Sequence, residues 1–433
     1  MDLGEFEVYR IDSYGYDETP KTIAPKSRNF IVFKPRNAIE VSKILKFANE
    51  RKIPVFVRGG GTGLSAGAVP TLDGILISTE RMKEIEIDVR NRLAICEAGV
   101  TLDELTKAAE KHGLSFPPKP GAENATVGGM IATNAGGVRA MKFGVIRNYV
   151  LGLEIVLPDG RIMKFGGKTI KNSAGYPLLQ LFIGSEGTLG VITKAIIRLL
   201  PQLRDMSMLA IPFRNIEDAM EYSIETCRKL TPLGLEYMEK RAVEIGESVS
   251  GKRWVSKEGE AHILSIFEHK WEAEESAEIA YSCNAIDVFL ASPKEQRDLL
   301  DIRSKIYLGI KNRIIEILDI CVPPASILEY LRKSDEIARK YGIDVITYGH
   351  VGDGNLHQHP LIFEGWERVY WNFRREIMRL AVEMDGTISG EHGIGEIKRD
   401  ELAELFPEQY GIMRKIKEIF DPNGILNPGK IFK

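Results

Sequence analysis

The sequence predicts an α+β protein built as two domains, and three observations carry that reading. The chain has 433 residues, enough to bury two cores. Amphipathic helices, hairpins and strands alternate from Ala38 to Leu199. Two runs dominated by Gly, Ala, Thr and Asn, Val57–Pro70 and Pro120–Gly137, interrupt that alternation with almost nothing bulky. The alternation suits several folds, and the motifs narrow the choice.

Residues 1–23 are polar and turn-rich, and no function is read in them. Asn37 followed by Glu40 has a capping-box arrangement, with Asn in place of Ser or Thr. Ile39, Val41, Ile44, Leu45 and Ala48 then share one face, so Ala38–Arg51 is a helix. It leads into a strand that ends at Arg58, where the first glycine run begins. Asp73–Ser78, Ile85–Asp88 and Leu93–Glu97 read as strands, the last two joined across Val89–Arg92. Thr101 and Glu104 cap a helix that Gly113 ends. Pro117, Pro118 and Pro120 force extended chain into the second glycine run. Thr126–Thr133 begins a short helix whose N-terminus is expected to face phosphate. Leu153–Leu157 and Arg161–Phe165 form a hairpin about Pro158-Asp159-Gly160, and the β-branched run Val191–Leu199 closes the domain at Pro201. From Gln202 to about Gly390 the expectation is an antiparallel sheet with helices on one side. Asp218–Lys229 and Pro293–Ile317 are its clearest helices.

Composition excludes several classes of partner. Hydrophobic residues make up 44% of the chain and the net charge is −3, which gives no reason to expect nucleic acid or an anionic membrane. Mean hydropathy is −0.13 and no run of eighteen apolar residues occurs, so no transmembrane segment is expected. The acidic start, MDLGEFEVYRID, lacks an apolar signal core, so a cytoplasmic location is expected. The cysteines Cys96, Cys227, Cys283 and Cys321 form no C-x-x-C pair. That argues for a reducing compartment and against a Cys-ligated iron–sulfur cluster within the chain.

A backbone without Cβ atoms can approach a ligand closely and point successive N–H groups at it, as a pyrophosphate requires. Gly61–Ala66 even fits the G-x-G-x-x-G/A dinucleotide fingerprint, which needs a strand before it and a helix after it. The strand is present, but Gly67 and Pro70 leave no room for the helix. A Rossmann site is therefore not expected.

The second constellation is Gly349–His359, which contains three of the seven histidines. Asp353-Gly354 is a favoured two-residue hairpin turn. Placed there, it sets His350 opposite His357, with His359 on the same face by alternation. Opposed residues have Cβ atoms about 4.5–5.5 Å apart, close enough for two imidazoles to share a metal ion.

The two glycine runs resemble the FAD-binding domain of the vanillyl-alcohol oxidase type, an α+β fold of two small subdomains. RGGGTGLSAGAVP, ATVGGMIATNAGGVRAMKFGVIRNYVLGLEIVLPDG, GYPLLQLFIGSEGTLGVIT, GHVGDGNLH, SGEHGIG and DPNGILNPGK are similar to the D-2-hydroxyacid dehydrogenase and glycolate oxidase catalytic-subunit branch. The likeness covers about Ile23–Pro201 and Pro293–Lys433, with little matched between. It implies an FAD-binding domain over 24–202, a substrate (cap) domain over 203–390, and a segment 391–433 that returns to the flavin domain.

The resemblance further implies FAD, and because no His lies inside either glycine run to tether the flavin, non-covalent binding is expected. From the first run Arg58, Gly59, Gly60, Gly61, Thr62, Gly63 and Leu64 would contact it. From the second, Pro120, Gly121, Thr126, Gly128, Gly129, Ala132, Thr133, Asn134 and Gly137 would do so. Glu186, Val191 and Ile192 would lie near the adenine side, and Asn427 belongs to the segment that closes over the isoalloxazine. By the same resemblance His350, His357 and Glu391 become ligands of a divalent metal, zinc first and Mn or Fe as alternatives. His392 becomes the base that takes the substrate's hydroxyl proton while hydride passes from C2 to flavin N5. Arg303 becomes the cation for the substrate carboxylate, and His359 a substrate contact standing where relatives commonly have Asn. Lys near Ile317–Asp319 and Arg near Ser326, found in the 2-hydroxyglutarate enzymes or in common relatives, are missing. That favours a small acid such as D-lactate or glycolate. Electrons would leave to an external acceptor, an iron–sulfur subunit or an electron-transfer flavoprotein through which the chain could sit at a membrane periphery. A homodimer is left open. The competing expectations are an inactive FAD-binding companion subunit and a redox-neutral enzyme of the alkylglycerone-phosphate synthase type.

Overall fold

The computed structural model describes residues 6–203 and 206–433. The reading of 1–23 as turn-rich therefore falls partly, over residues 1–5, outside the described residues. Two compact units are present. One consists of Met1–Gly136, Val145–Gln202 and Glu391–Lys433, the other of Gly137–Gly144 and Leu203–Gly390.

The first unit opens with β1 (Phe30–Phe33), α1 (Ala38–Arg51), β2 (Val55–Arg58) and β3 (Gly74–Ser78), which give a three-stranded parallel sheet in the order β1-β3-β2. Asn37 Oδ1 caps α1 by accepting from Glu40 N at 3.0 Å, while Glu40 Oε2 takes the Arg36 N–H at 2.7 Å. The face Val41, Ile44, Leu45 and Ala48 is buried against Phe33, Val55, Ile75 and Ile77. Fully burying each of the Val, Ile and Leu side chains of this face contributes about 1.5–3 kcal/mol, which outweighs the modest intrinsic propensity of this polar-rich helix. No helix follows β2, as Gly67 and Pro70 predict.

β4 (Ile85–Asp88) and β5 (Leu93–Glu97) come next, then α2 (Leu102–Glu110), whose capping box between Thr101 and Glu104 is complete. A two-residue strand, β6 (Leu114–Ser115), precedes α3 (Val127–Thr133) and α4 (Ala140–Phe143), the latter within the second unit. β7 (Val150–Val156), β8 (Ile162–Gly166), α5 (Leu179–Phe182), β9 (Val191–Arg198) and β10 (Leu200–Pro201) follow. The larger sheet is antiparallel, ordered β4-β5-β9-β7-β8, and β10 pairs with β6. The C-terminal stretch folds back into this unit. Val55 N donates to Ile425 O at 2.7 Å and Asn427 N to Val55 O at 2.8 Å, placing Leu426 in the same core as α1.

The second unit contains β11 (Ser207–Phe213), α6 (Ile216–Lys229), β12 (Gly234–Glu239), α7 (Lys240–Ser250), β13 (Ala261–Phe267), α8 (Lys270–Ser282), β14 (Phe289–Leu290) and α9 (Pro293–Ile310). It continues with β15 (Leu318–Cys321), α10 (Ile327–Tyr341), β16 (Val345–His350), β17 (Asn355–Pro360) and α11 (Tyr370–Glu383); α12 (Arg399–Leu405) and α13 (Pro407–Phe420) belong to the first unit. Its seven strands form an antiparallel sheet in the order β14-β11-β13-β12-β16-β17-β15.

Three expectations change. First, α6 begins at Ile216, capped by Asn215, two residues before the predicted start. Second, α9 stops at Ile310 rather than Ile317. Ile315 N donates to Pro360 O, and Glu316 turns inward to a buried ion pair with Arg374 at 2.7 Å, so Ile314, Ile315 and Ile317 are apolar chain leading into β15. Third, the helices do not all lie on one face. Tyr222 of α6 bonds Ser265 and Ser276, and Tyr330 of α10 bonds Gln358, all on one side of the sheet. Arg303 of α9 reaches Glu236 on the other. That second face carries the polar cluster described next.

Candidate active site

The first glycine run packs against the second. A Cβ at Gly59 would lie 2.3 Å from Thr126 Oγ1, and one at Gly60 2.5 Å from Asn124 O. Only glycine permits that approach. Among the described residues, none of the N–H groups from Gly59 to Leu64 makes a hydrogen bond, so six successive donors remain for a ligand. Such a set suits a pyrophosphate, and these residues fit FAD.

The N-terminal segment, read from sequence as without function, holds this run in place. Arg58 Nη1 donates to Tyr16 O at 2.6 Å, Glu18 N to Gly63 O at 3.0 Å, and Ala66 N to Thr19 Oγ1 at 2.7 Å. Each contact has a backbone atom on at least one side, so the polar, turn-rich composition of the segment gave no sign of it.

The expected role of the α3 N-terminus is corrected. Val127 N donates to Val100 O at 2.7 Å, Gly128 N to Ala98 O at 2.9 Å, and Gly129 N to the capping Thr126 Oγ1 at 3.3 Å. Those donors are spent within the protein and do not face phosphate. Gly128 is small because a Cβ would meet Ala98 at 2.8 Å, which lets the helix dock. Ala132 O accepts Glu186 N at 2.8 Å, and Asn134, left-handed at φ 51°, accepts Arg147 N at 3.1 Å. Gly121 is exposed, and Val191 and Ile192 are buried in β9.

Glu186 and Asn427 have jobs beyond the expected cofactor contacts. Glu186 Oε1 accepts Ile394 N at 2.7 Å and Oε2 accepts Gly395 N at 2.8 Å. Burial pushes its carboxyl above the usual range, against the pull of those two N–H groups and of Lys398 and Lys430. Ser65 Oγ lies 3.1 Å from both His392 O and Gly393 O, so the SGEHGIG loop is held from two sides. Asn427 spends its amide on Val57 N at 3.0 Å and Glu186 O at 2.6 Å. Glu391 packs on Gly136, where a Cβ would stand 2.8 Å from its Oε2, and its other oxygen lies 3.7 Å from His392 Nε2.

On the second unit's sheet, the hairpin register differs from expectation. Asp353-Gly354 does not make a two-residue turn, because only Gly354 of the pair has positive φ and that turn type needs both. The loop is Val351–Gly354, so His350 pairs with Asn355, and His357 pairs with Tyr348. A slip of two residues keeps every side chain on its face. His350 and His357 therefore remain neighbours, diagonal rather than opposed, with ring centroids 5.3 Å apart. Both are buried.

Two buried carboxylates flank them, and sequence reading singled out neither. Glu236, opposite His350 in β12, has Oε1 2.5 Å from His350 Nδ1. Asp319, opposite His357 in β15, has Oδ1 3.6 Å from His357 Nδ1 and accepts Asn355 Nδ2 at 2.8 Å. A lone acid inside each apolar run, GLEYM and ILDIC, was the available signal. Burial pushes Glu236 up, yet His350 and Arg303 beside it outweigh that and hold it below the usual carboxylate range. Arg303 gives Nε and Nη2 to Glu236 Oε2 at 2.9 and 2.8 Å and lies 4.6 Å above the Tyr348 ring. His359, expected as a substrate contact, is instead fully buried behind Tyr348, stacked on its ring at 4.6 Å with Nδ1 3.2 Å from Ile346 O, so it backs that ring rather than meeting a ligand. The chain leaves this sheet at Gly390, whose N–H donates to Asp319 O at 3.0 Å, and the next residue is Glu391.

An imidazole with its Nδ1 on a carboxylate is the usual setting of a metal-binding histidine. The donor set of two imidazoles and nearby carboxylates thus fits a divalent ion.

Comparisons with known proteins match both halves of the chain. Residues 31–166 match the FAD binding domain family, and residues 202–431 match the family described as FAD linked oxidases, C-terminal domain. The chain is 64% identical to a D-lactate dehydrogenase of Archaeoglobus fulgidus over 98% of its own length and 96% of the relative's. It is 37% identical to glycolate oxidase subunit GlcD of Bacillus subtilis, covering 97% and 92% of the two chains. Among solved structures, p-cresol methylhydroxylase superposes with a TM-score of 0.78 at 15% identity, covering 97% of this chain and 92% of that one. The 4-ethylphenol oxidase of Gulosibacter chungangensis gives 0.77 at 19%, covering 99% and 94%. These two show the fold, the vanillyl-alcohol oxidase type. Among the described residues no helix is long and apolar enough to cross a membrane. With both halves matched and near-complete coverage of its relatives, the chain belongs to the FAD-linked oxidoreductases of the D-lactate dehydrogenase and glycolate oxidase branch.

Proposed function

We propose that the protein oxidises a small D-2-hydroxy acid, D-lactate foremost and glycolate next, to the 2-oxo acid with the help of a divalent ion. The observation that carries this reading is the buried polar face of the second unit, where His350, His357 and Arg303 stand together on Glu236 and Asp319. The 64% identity to a protein named D-lactate dehydrogenase supports the choice of substrate.

His350, His357 and Glu391 would hold the ion, a two-imidazole, one-carboxylate set that keeps a position open for substrate. When bound, FAD supplies the two-electron acceptor, and the ion lowers the pKa of the substrate hydroxyl. Arg303 binds the substrate's carboxylate through its donors other than the two engaged by Glu236. His392 takes the hydroxyl proton as C2 gives up its hydride, which leaves a carbonyl at C2. His359, stacked under Tyr348, supports the wall of the substrate site. The electrons then pass to an external acceptor, an iron–sulfur protein or an electron-transfer flavoprotein. A redox-neutral or inactive role finds no support in this set of residues.

The test is an anaerobic screen of D- and L-2-hydroxy acids for bleaching of the bound flavin, with metal content measured on the same preparation. Bleaching by D-lactate, lost on chelation while the flavin stays bound, is expected. Full activity in a metal-free preparation would return the histidines to direct hydrogen bonding of the substrate.

A further inference from the structure

We infer that Glu236 is a positioning residue that orients the proposed metal ligand His350 and the proposed carboxylate-binding Arg303 together. The inference rests on the roles proposed for those two residues. Glu236 is fully buried at the centre of β12, directly opposite His350 in β16. Its two oxygens are divided between two partners. Oε1 lies 2.5 Å from His350 Nδ1, and Oε2 receives Arg303 Nε at 2.9 Å and Nη2 at 2.8 Å.

Each contact constrains a different part of the chemistry. Engagement of Nδ1 sets the ring orientation and tautomer, so that Nε2 is the nitrogen that ligates. The contact through Nε and Nη2 fixes the plane of the guanidinium, which already lies 4.6 Å above the Tyr348 ring. The edge of the guanidinium that meets a substrate carboxylate is thereby aimed as well. A single carboxylate thus links the two groups, so disturbing it should disturb metal binding and substrate binding together.

Glutamine tests this because it keeps the shape and changes the donor pattern. The site presents donors to both oxygens, whereas an amide offers one accepting oxygen and one donating NH₂. One of the two partners must then face a donor.

The experiment compares the FAD-loaded full chain with its Glu236→Gln and Glu236→Asp variants. It reads flavin content, metal content, the chelator concentration that removes half the metal, KM and kcat for D-lactate, and melting temperature. For Glu236→Gln, metal affinity is expected to fall roughly 10-fold, with KM raised by a similar factor and flavin content unchanged. Glu236→Asp, which keeps two accepting oxygens but falls one methylene short of both partners, should lose part of each, less than the glutamine variant loses. A glutamine variant with a lower melting temperature but wild-type metal affinity and KM would overturn the inference and leave Glu236 a purely structural residue. Loss of metal affinity without a change in KM, or the reverse, would overturn the joint role. If the unmodified protein carries no divalent ion and chelators leave it active, the metal reading itself fails, and the metal half of this inference fails with it. If Glu236→Gln does not fold, the same readings on Glu236→Asp decide the matter: parameters equal to the unmodified protein would refute it.

Discussion

Substituting Gly60 with alanine probes how closely the two glycine runs must approach. The added Cβ would sit 2.5 Å from Asn124 O, with Asn124 C at 3.4 Å and Ala125 Cα at 3.5 Å. The obstacle is backbone, so no side chain can swing aside. The runs must part by most of an ångström to reach ordinary contact. Overpacking of this kind costs about 1–3 kcal/mol. If the cradle absorbs that cost when FAD binds, the dissociation constant rises by roughly 5-fold to 150-fold. The assay is a titration of apoprotein with FAD, followed by flavin fluorescence, together with thermal melts of the apo and loaded forms. Gly167→Ala is the control, because a Cβ there meets nothing within 4 Å and it lies outside both runs. Unchanged FAD affinity and unchanged melts in the Gly60 variant would refute the proposed approach of the two runs.

The His392→Ala variant should keep its metal and lose about 10²–10⁴-fold in kcat, whereas His350→Ala and His357→Ala should lose the metal; metal analysis and steady-state rates would expose an exchange of ligand and base. Acid should weaken the second unit through His262, whose pKa burial lowers to about 4 and whose Nδ1 accepts Trp254 Nε1–H at 3.2 Å. The folded pKa lies below the unfolded one, so the unfolded chain binds the proton more tightly. Stability is therefore full above the unfolded value of about 6.5 and is lost as pH falls toward 4. The loss is about 2 kcal/mol between pH 7 and 5. Urea unfolding at both pH values checks this, and a His262→Gln variant with an undiminished pH slope would assign the effect elsewhere. Gly411→Ala, in α13 where a Cβ meets nothing within 4 Å, should stabilise the protein by about 0.5–1 kcal/mol, read as a small rise in melting temperature.

Sequence by itself determined the parts of this protein whose physical causes are local. The ends of α1 and of the β4–β5 hairpin follow from capping and turn residues next to them, and the box at Thr101–Glu104 is complete as read. Gly67 and Pro70 ruled out a helix after β2, which separated this fold from a dinucleotide domain using one sequence window. The histidines were legible even though their register was not. Side chains alternate with period two, so a slip of two residues left His350 and His357 on one face. Tertiary structure alone decided the rest. The Ile310–Ile317 periodicity continues the helix on paper, but the ion pair between Glu316 and Arg374, 58 residues apart, draws the chain into β15. The donors at the start of α3 looked available because their acceptors, Ala98 and Val100, belong to another segment. Glu236 lies 114 residues from His350 and 67 from Arg303. Local periodicity carries no information about which distant strand will lie alongside, and burial of a lone carboxylate becomes tolerable only when that strand brings an imidazole and α9 a guanidinium to it.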